Sequence, residues 1–376
     1  MLVQAFSARG LSYDVIDLSP RDTSRPDGSF SLGRAFSFAG PFLRAARLLL
    51  LGRRRTVYLL LAQSWPGFLR DAVFIGLSCV RGQRLVTHLK GGGYADFYAG
   101  LPAWKQRAVA SVLSRASAIL VLSGSFREHF SFVPGYEEKV EVVFNGLPFP
   151  EARLPALGKR LPEAGQPVRI LYLSNLVESK GYLELLEAVR ILVRERGLDV
   201  ECRFCGEFLL SSDEQRYATP AEAHDDFFDR VSRADLQDHV RWAGRAGGDE
   251  KLDALAEAHI FVLPTRYRNE GQPVSIIEAL ASGCAVVATR HRGIPEMLSE
   301  GAAGVLLDSI KPESIADAVE ALVADSEAFA ALSRASVERY RDAFRQSAHL
   351  ERILPLILGG PADAAGPQRA AGSEGS

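Results

Sequence analysis

The sequence predicts an α/β chain of two doubly wound domains that face each other across a cleft. Short apolar runs alternate with longer segments of helical periodicity along most of its 376 residues, the pattern of a mostly parallel sheet with helices on its faces. A Pro-rich stretch, Leu147-Pro148-Phe149-Pro150 through Pro155, Pro162 and Pro167, divides this alternation into two series. Composition gives the third reason: with 47% hydrophobic and 24% charged residues the chain can pack two ordinary cores.

The first series, residues 1–150, places strands at about 13–17, 56–62, 84–89, 118–122 and 139–144. Helices fall between them at about 66–79, 103–116 and 125–131. Met1 to Arg9 reads as a helix through Leu2, Val3 and Phe6, with Gly10 as its cap. A doubly wound domain ordinarily opens on a central strand and a Gly-rich turn ahead of that helix. No substitute for that strand is present, so the first domain is expected to lack it and the native chain to begin upstream of Met1.

Residues 151–167 read as a linker, and a second alternating series fills residues 168–342. Its strands are expected at about 168–174, 199–204, 239–243, 259–264, 284–288 and 303–307. Its helices are expected near 182–195, 221–233, 248–257, 273–282, 311–324 and 326–342. A last helix within 343–358 is expected to pack back, and the Ala/Gly/Pro/Ser tail of 359–376 lacks the apolar content to order itself.

The net charge of −2 hides an asymmetry. Residues 1–150 hold 18 Lys/Arg against 10 Asp/Glu, and the remainder 26 against 36, which points to different partners for the two halves. Cys202 and Cys205 form a C-x-x-C at the end of a strand-like run, without the two further ligands that a zinc site needs. With Cys79 and Cys284 they read as buried thiols of a reducing cytoplasm. No signal peptide opens the sequence, and no apolar run reaches the ~20 residues of a membrane span.

The most informative stretch is Glu270-Gly271-Gln272-Pro273-Val274-Ser275-Ile276-Ile277-Glu278. It follows Ile260-Phe261-Val262-Leu263-Pro264, a run suited to a buried parallel strand. Pro273 suits the first position of a helix that ends at Gly283. A capping box of Ser275 with Glu278 would leave seven helical residues instead of ten, so the Pro273 start is preferred. Strand, loop, carboxylate and helix in that order put Glu270 in the crevice where α/β sheets bind ligands, with Glu278 able to reach it from within the helix. Carboxylates there suit sugar and ribose hydroxyls, from which they accept hydrogen bonds. Upstream, Arg169-Ile170-Leu171-Tyr172-Leu173-Ser174-Asn175 runs through a loop to Lys180-Gly181 and a helix, an arrangement that holds a pyrophosphate. Neither a G-x-G-x-x-G nor a Walker sequence is present.

Together these segments resemble the retaining glycosyltransferases with two Rossmann-like domains, the GT-B architecture, over roughly residues 84–345. The resemblance is carried by Leu173-Ser174-Asn175 with Lys180-Gly181, Cys205-Gly206-Glu207, Arg241-Trp242-Ala243-Gly244, and Phe261 through Glu278-Ala279. Gly283, Val286-Val287-Ala288-Thr289 and Gly293-Ile294-Pro295-Glu296 continue it. The chain resembles members that build bacterial capsular, exopolysaccharide or O-antigen chains.

The resemblance implies that Glu270 holds donor-sugar hydroxyls, with Gly271, Gln272 and Pro273 beside the sugar and diphosphate. Glu278 would accept the ribose hydroxyls. Lys180, at Gly181, would stabilise the leaving diphosphate with Asn175 alongside. The family usually has Arg at the place of Asn175, so one positive charge is missing. Thr87-His88-Leu89-Lys90-Gly91-Gly92-Gly93 resembles the family's His-Gly loop, but Lys90 stands directly before the glycines. His88 is therefore either the active-site histidine or a hydrogen-bonded core residue. Asn145-Gly146 matches the family's hinge-side turn, or is an ordinary turn.

The implied reaction is metal-independent transfer of a sugar with retained configuration, with no cofactor besides the nucleotide-sugar donor. No pair of acidic residues divides into acid and base as a glycosidase requires. A nucleotide-sugar epimerase of the same architecture and a non-catalytic binding subunit are the competing readings. Residues 28–70 contain no Asp or Glu but seven Arg (34, 44, 47, 53, 54, 55 and 70), interspersed with Phe36, Phe38, Phe42, Leu43 and Leu48 to Leu51. Basic and apolar residues at helical spacing suggest contact with an anionic membrane surface through 34–70, fitting a cytoplasmic protein peripheral to the inner face that meets a lipid-linked or glycan acceptor. An ordinary packed helix with a solvated Arg face is the alternative, and no nucleic-acid recognition module accompanies the charge.

Overall fold

The structure is a computed structural model that describes residues 1–17, 39–53, 55–155, 158–211, 214 and 216–359. Arg34, Phe36, Phe38 and Arg54 of the basic stretch, and the tail from 360, lie outside the described residues.

Two parallel sheets form the frame. The first holds β1 (Thr56–Leu60), β2 (Arg84–His88), β3 (Ala118–Val121) and β4 (Val140–Val142) in sequential order. The second holds β5 (Val168–Leu173), β6 (Val200–Cys205), β7 (Val240–Trp242), β8 (Ile260–Leu263), β9 (Ala285–Thr289) and β10 (Val305–Leu307), ordered β10-β9-β8-β5-β6-β7. Strand direction of travel reverses between β5 and β8, so the crevice at their carboxyl ends is the second sheet's switch point. The second sheet is doubly wound as expected. The first, among the described residues, runs one way only.

The expected strand at 13–17 is not a strand: those residues join no ladder, and among the described residues β1 pairs with β2 alone. Asp14 instead turns to Arg55 and Arg44, an arrangement of side chains that alternating polarity does not announce. Beyond the expected helices, Ala39–Leu51, Tyr94–Ala99 and Tyr136–Lys139 are helical. Among the described residues, no helix is long and apolar enough to cross a membrane.

Strand composition follows burial. β3, β8 and β9 are buried at every position, which explains their unbroken apolar runs. Helices on both faces of the second sheet close its core, with Tyr182, Leu185, Leu186 and Val189 from one side and Ile276, Ile277 and Leu280 from another. The helix Gln346–Leu358 leaves that lobe and returns to the first sheet. Leu350, Ile353, Leu354 and Ile357, one helical stripe, pack on Val86, Ala118, Leu120 and Val143 with Ala5 of the opening helix. Each such fully buried side chain contributes roughly 1.5–3 kcal/mol, so this helix ties the lobes together as strongly as a small core. The chain crosses between lobes twice, and the two crossings are bonded where Leu147 N–H donates to Phe344 O and Tyr340 to Leu147 O.

A second tie lies beside the cleft. The Glu296 carboxylate accepts from Ser123 Oγ (2.8 Å), Gly124 N–H (2.8 Å) and Ser125 N–H (2.9 Å), capping the short helix Gly124–Phe130 of the opposite lobe. Asp96 adds an ion pair to Arg292 at 2.6 Å.

Candidate functional site

The carboxyl ends of β5, β6 and β8 open into a cavity of about 460 Å³ between the lobes. After β8 the chain runs through a loop to Glu270, then Pro273 caps the helix Val274–Ala281. The helix starts one residue later than the sequence suggested, and Ser275 is not its cap, so the capping-box alternative is not adopted. It stops at Gly283, whose left-handed φ of 69° a side chain would strain.

Glu270 and Glu278 both line the cavity and are both nearly buried, 7% exposed each. Glu270 Oε2 lies 3.5 Å from Lys180 Nζ and accepts from Thr265 Oγ1 at 3.2 Å. Glu278 Oε1 pairs with Lys251 Nζ at 2.5 Å. Each buried carboxylate therefore has a lysine, which offsets the cost of removing its charge from water. Lys180 ends the one-turn helix Glu178–Lys180, whose first N–H groups Glu214 accepts, and its ammonium also lies 5.2 Å from the centre of the Tyr267 ring. Gly181 sits behind it at φ 79°, and a Cβ there would come within 2.3 Å of Pro264 O. Only glycine lets the lysine turn pass so near β8.

Of the residues singled out in the sequence, Lys180, Asn175, Glu270, Gly271, Gln272, Pro273 and Glu278 line this cavity together. Gly181 supports it from behind. His88 is elsewhere: it is fully buried at the end of β2, with Nδ1 bonded to Tyr58 Oη at 2.5 Å, and is absent from the cavity wall. Burial, with Lys90 and His349 nearby, pushes its imidazole down to about 2, so it stays neutral. Of the two sequence readings of His88, the geometry matches the core one.

Lys90 takes the position on the cavity wall instead. Lys90 is exposed at the cavity rim, and the protein packed around its ammonium lowers it to about 8. The Lys90–Gly93 loop lies against Asn269–Gly271 of the other lobe, with Gly92 N–H donating to Asn269 O at 3.3 Å. Asn145 joins the same wall, its N–H donating to Gln272 Oε1 at 2.8 Å. Sequence reasoning did not find Lys251, Arg245 or Thr265. They come from other segments, and no spacing within the Glu270–Glu278 stretch signals them.

A second cavity of about 400 Å³ lies at the opposite, amino ends of β5–β7. Its charged groups are largely spent on one another, Arg203 on Glu257 at 2.8 Å and Arg169 on Glu201 at 3.7 Å, and it lies far from the switch point. The C-x-x-C thiols are free, and burial raises both.

Comparison with known proteins fits this geometry. Residues 156–339 match the family described as "Glycosyl transferases group 1". The amylovoran biosynthesis glycosyltransferase AmsK of Erwinia amylovora is 32% identical over 203 residues, 50% of this chain and 46% of AmsK. The putative colanic acid biosynthesis glycosyltransferase WcaL of Salmonella typhimurium is 32% identical over 165 residues, 43% and 36% of the two chains. The matched region thus spans less than half of each of these relatives. Among solved structures, Anabaena Alr3699/HepE in complex with UDP superposes with a TM-score of 0.67 at 16% identity, covering 85% of this chain and 82% of that one. The UDP-forming α,α-trehalose-phosphate synthase of Burkholderia vietnamiensis gives 0.68 at 15% identity, covering 90% and 80%. The chain has the GT-B fold and is akin in sequence to exopolysaccharide enzymes.

The Lys251–Glu278 pair is testable without any substrate. Lys251→Ala leaves a carboxylate alone in the wall and should lower the unfolding free energy in urea by about 2 kcal/mol, part of the full buried-pair penalty because water reaches the ammonium. Lys251→Met with Glu278→Gln should recover most of that loss; a double variant no more stable than the single would contradict the pairing.

Proposed function

We propose that this protein moves a sugar from a nucleotide-diphosphate donor to a lipid-linked or glycan acceptor in bacterial cell-surface polysaccharide synthesis, a reading that the match of residues 156–339 to the glycosyl transferases of group 1 supports. The observation that carries the reading is the convergence of Glu270, Glu278 and Lys180 on one cavity at the sheet's switch point. In this reading Glu278 accepts the ribose hydroxyls, Glu270 accepts hydroxyls of the donor sugar, and the diphosphate spans between them past Lys180 and the start of the Val274–Ala281 helix.

Transfer forms a bond from the acceptor oxygen to the anomeric carbon and breaks the bond from that carbon to the β-phosphate oxygen, with configuration retained. The electron pair of the broken bond stays on the diphosphate, and the acceptor's proton follows to it. The protein's work is to meet the negative charge that grows there before the proton arrives. Lys180 and the backbone N–H groups at the helix start are suited to that without a divalent metal.

The acceptor side draws on the basic first lobe. Helix Ala39–Leu51 keeps Leu43 and Leu51 exposed, 66% and 78%, with Arg44 and Arg47 in water beside them. Apolar and cationic groups on one exposed helix suit an anionic bilayer surface, where a lipid-linked acceptor resides.

Lys180→Ala should reduce turnover by about 10²–10³ with donor affinity much less affected, and chelators should leave turnover unchanged. Variant turnover equal to the parent's would remove Lys180 from this role. For the membrane contact, the parent should float with vesicles containing anionic phospholipid at physiological salt, and Leu43→Glu with Leu51→Glu should abolish flotation. A parent protein that stays with the soluble fraction contradicts the surface assignment.

A further inference from the structure

The cavity holds four cations, Lys90, Lys180, Arg245 and Lys251, against two carboxylates, Glu270 and Glu278. Lys180 and Lys251 are each already beside a carboxylate, at 3.5 and 2.5 Å. Arg245 stands near Gly206 and Ala246, on the same segment as Lys251, and so belongs to the nucleoside end. Lys90 is different. Among the described residues its ammonium has only a neutral partner, Asn145 Oδ1 at 2.9 Å. Asn145 also donates to Gln272 Oε1, so one side chain and its backbone set Lys90 and Gln272 side by side. Gln272 is 5% exposed, and its Nε2 donor has no partner among the described residues. A positive charge without a counter-charge in a cavity wall is a place for an anion.

We propose that Lys90, contributed across the cleft and aimed by Asn145, is a second cation on the departing diphosphate, beside Lys180. The proposal rests on the transferase reading above. As the acceptor oxygen bonds the anomeric carbon, the electron pair of the breaking bond settles on the β-phosphate oxygen. Its charge grows until the acceptor's proton reaches it. Lys180 approaches that oxygen from the second lobe but is shared with Glu270; Lys90 approaches from the first lobe and is not shared. Its main chain passes close to the other lobe: a Cβ on Gly271 would come within 2.2 Å of Lys90 O. Gly93 N–H donates to Gln63 Oε1 at 2.7 Å, which holds the loop from its own side.

The charge state of Lys90 sets a pH signature. Facing it across the cavity are Lys180, Glu270, Arg245, Lys251 and Glu278; behind it lie His88 and His349, both lowered by burial and neutral above pH 7. An ammonium with a value of about 8 is charged below that pH and neutral above it, so affinity for an anion must fall as pH rises through 8. An arginine in the same place stays charged throughout.

The test is calorimetric titration of the full chain with UDP, GDP and ADP at pH 7.5 and pH 9, for the parent, Lys90→Ala, Lys90→Arg and Lys180→Ala. With whichever nucleotide binds the parent, Lys90→Ala should bind about tenfold more weakly at pH 7.5. The parent should weaken between the two pH values, and Lys90→Arg should not. If Lys90→Ala binds like the parent at pH 7.5, the proposal fails, and the transferase reading stands as long as the parent binds one of the three nucleotides. If the parent binds none of the three nucleotides, both fail.

Discussion

Two loops meet backbone to backbone where the lobes touch, and neither has room for a side chain at the point of contact. A Cβ on Gly92 would lie 2.1 Å from Glu270 O, and one on Gly271 would lie 2.2 Å from Lys90 O. These distances are far inside van der Waals contact, so the approach exists only because both residues are glycine. Everything chemical about the site follows from it. The approach brings Lys90 of the first lobe into the wall of the cavity that Glu270 also lines. The Glu296 cap on the Gly124–Phe130 helix and the Asp96–Arg292 pair hold the same edge from farther out.

The electrostatics of the cavity are arranged in two stations along its length. At one, Glu278 and Lys251 are matched in charge with Arg245 nearby; at the other, Glu270 and Lys180 are matched with Lys90 nearby. Each station thus has a neutral pair and a spare positive charge. A ligand with hydroxyls at both ends and two negative charges between them satisfies this layout. A dianion without hydroxyls would leave the carboxylates nothing to accept, and a neutral sugar would leave two cations unanswered.

The second lobe was legible in the sequence because its strands are buried on both faces. β8 and β9 read as unbroken apolar runs, and each observed strand lies within two residues of its expected bounds. The first lobe was less so. Tyr13–Asp17 alternates like a strand, yet nothing in five residues reveals whether a neighbour exists to pair with. Glu270, Glu278 and Lys180 could be found because strand, loop and helix order fixes where each side chain emerges. Lys251 and Thr265 could not, since their partnership with those carboxylates exists only after β5, β8 and the helix Gly248–Glu257 have packed. His88 stayed open between two readings in the sequence because it lies beside a glycine loop; at the end of β2 its ring turns to Tyr58.

The account stands on one ligand occupying the cavity between Glu270 and Glu278. A crystal structure of the protein grown with a nucleotide sugar tests it most directly. The account predicts ribose density within hydrogen-bond distance of Glu278 and the diphosphate against Lys180. Nucleotide bound instead at the amino ends of β5–β7, among Arg169, Arg203 and His239, would contradict it.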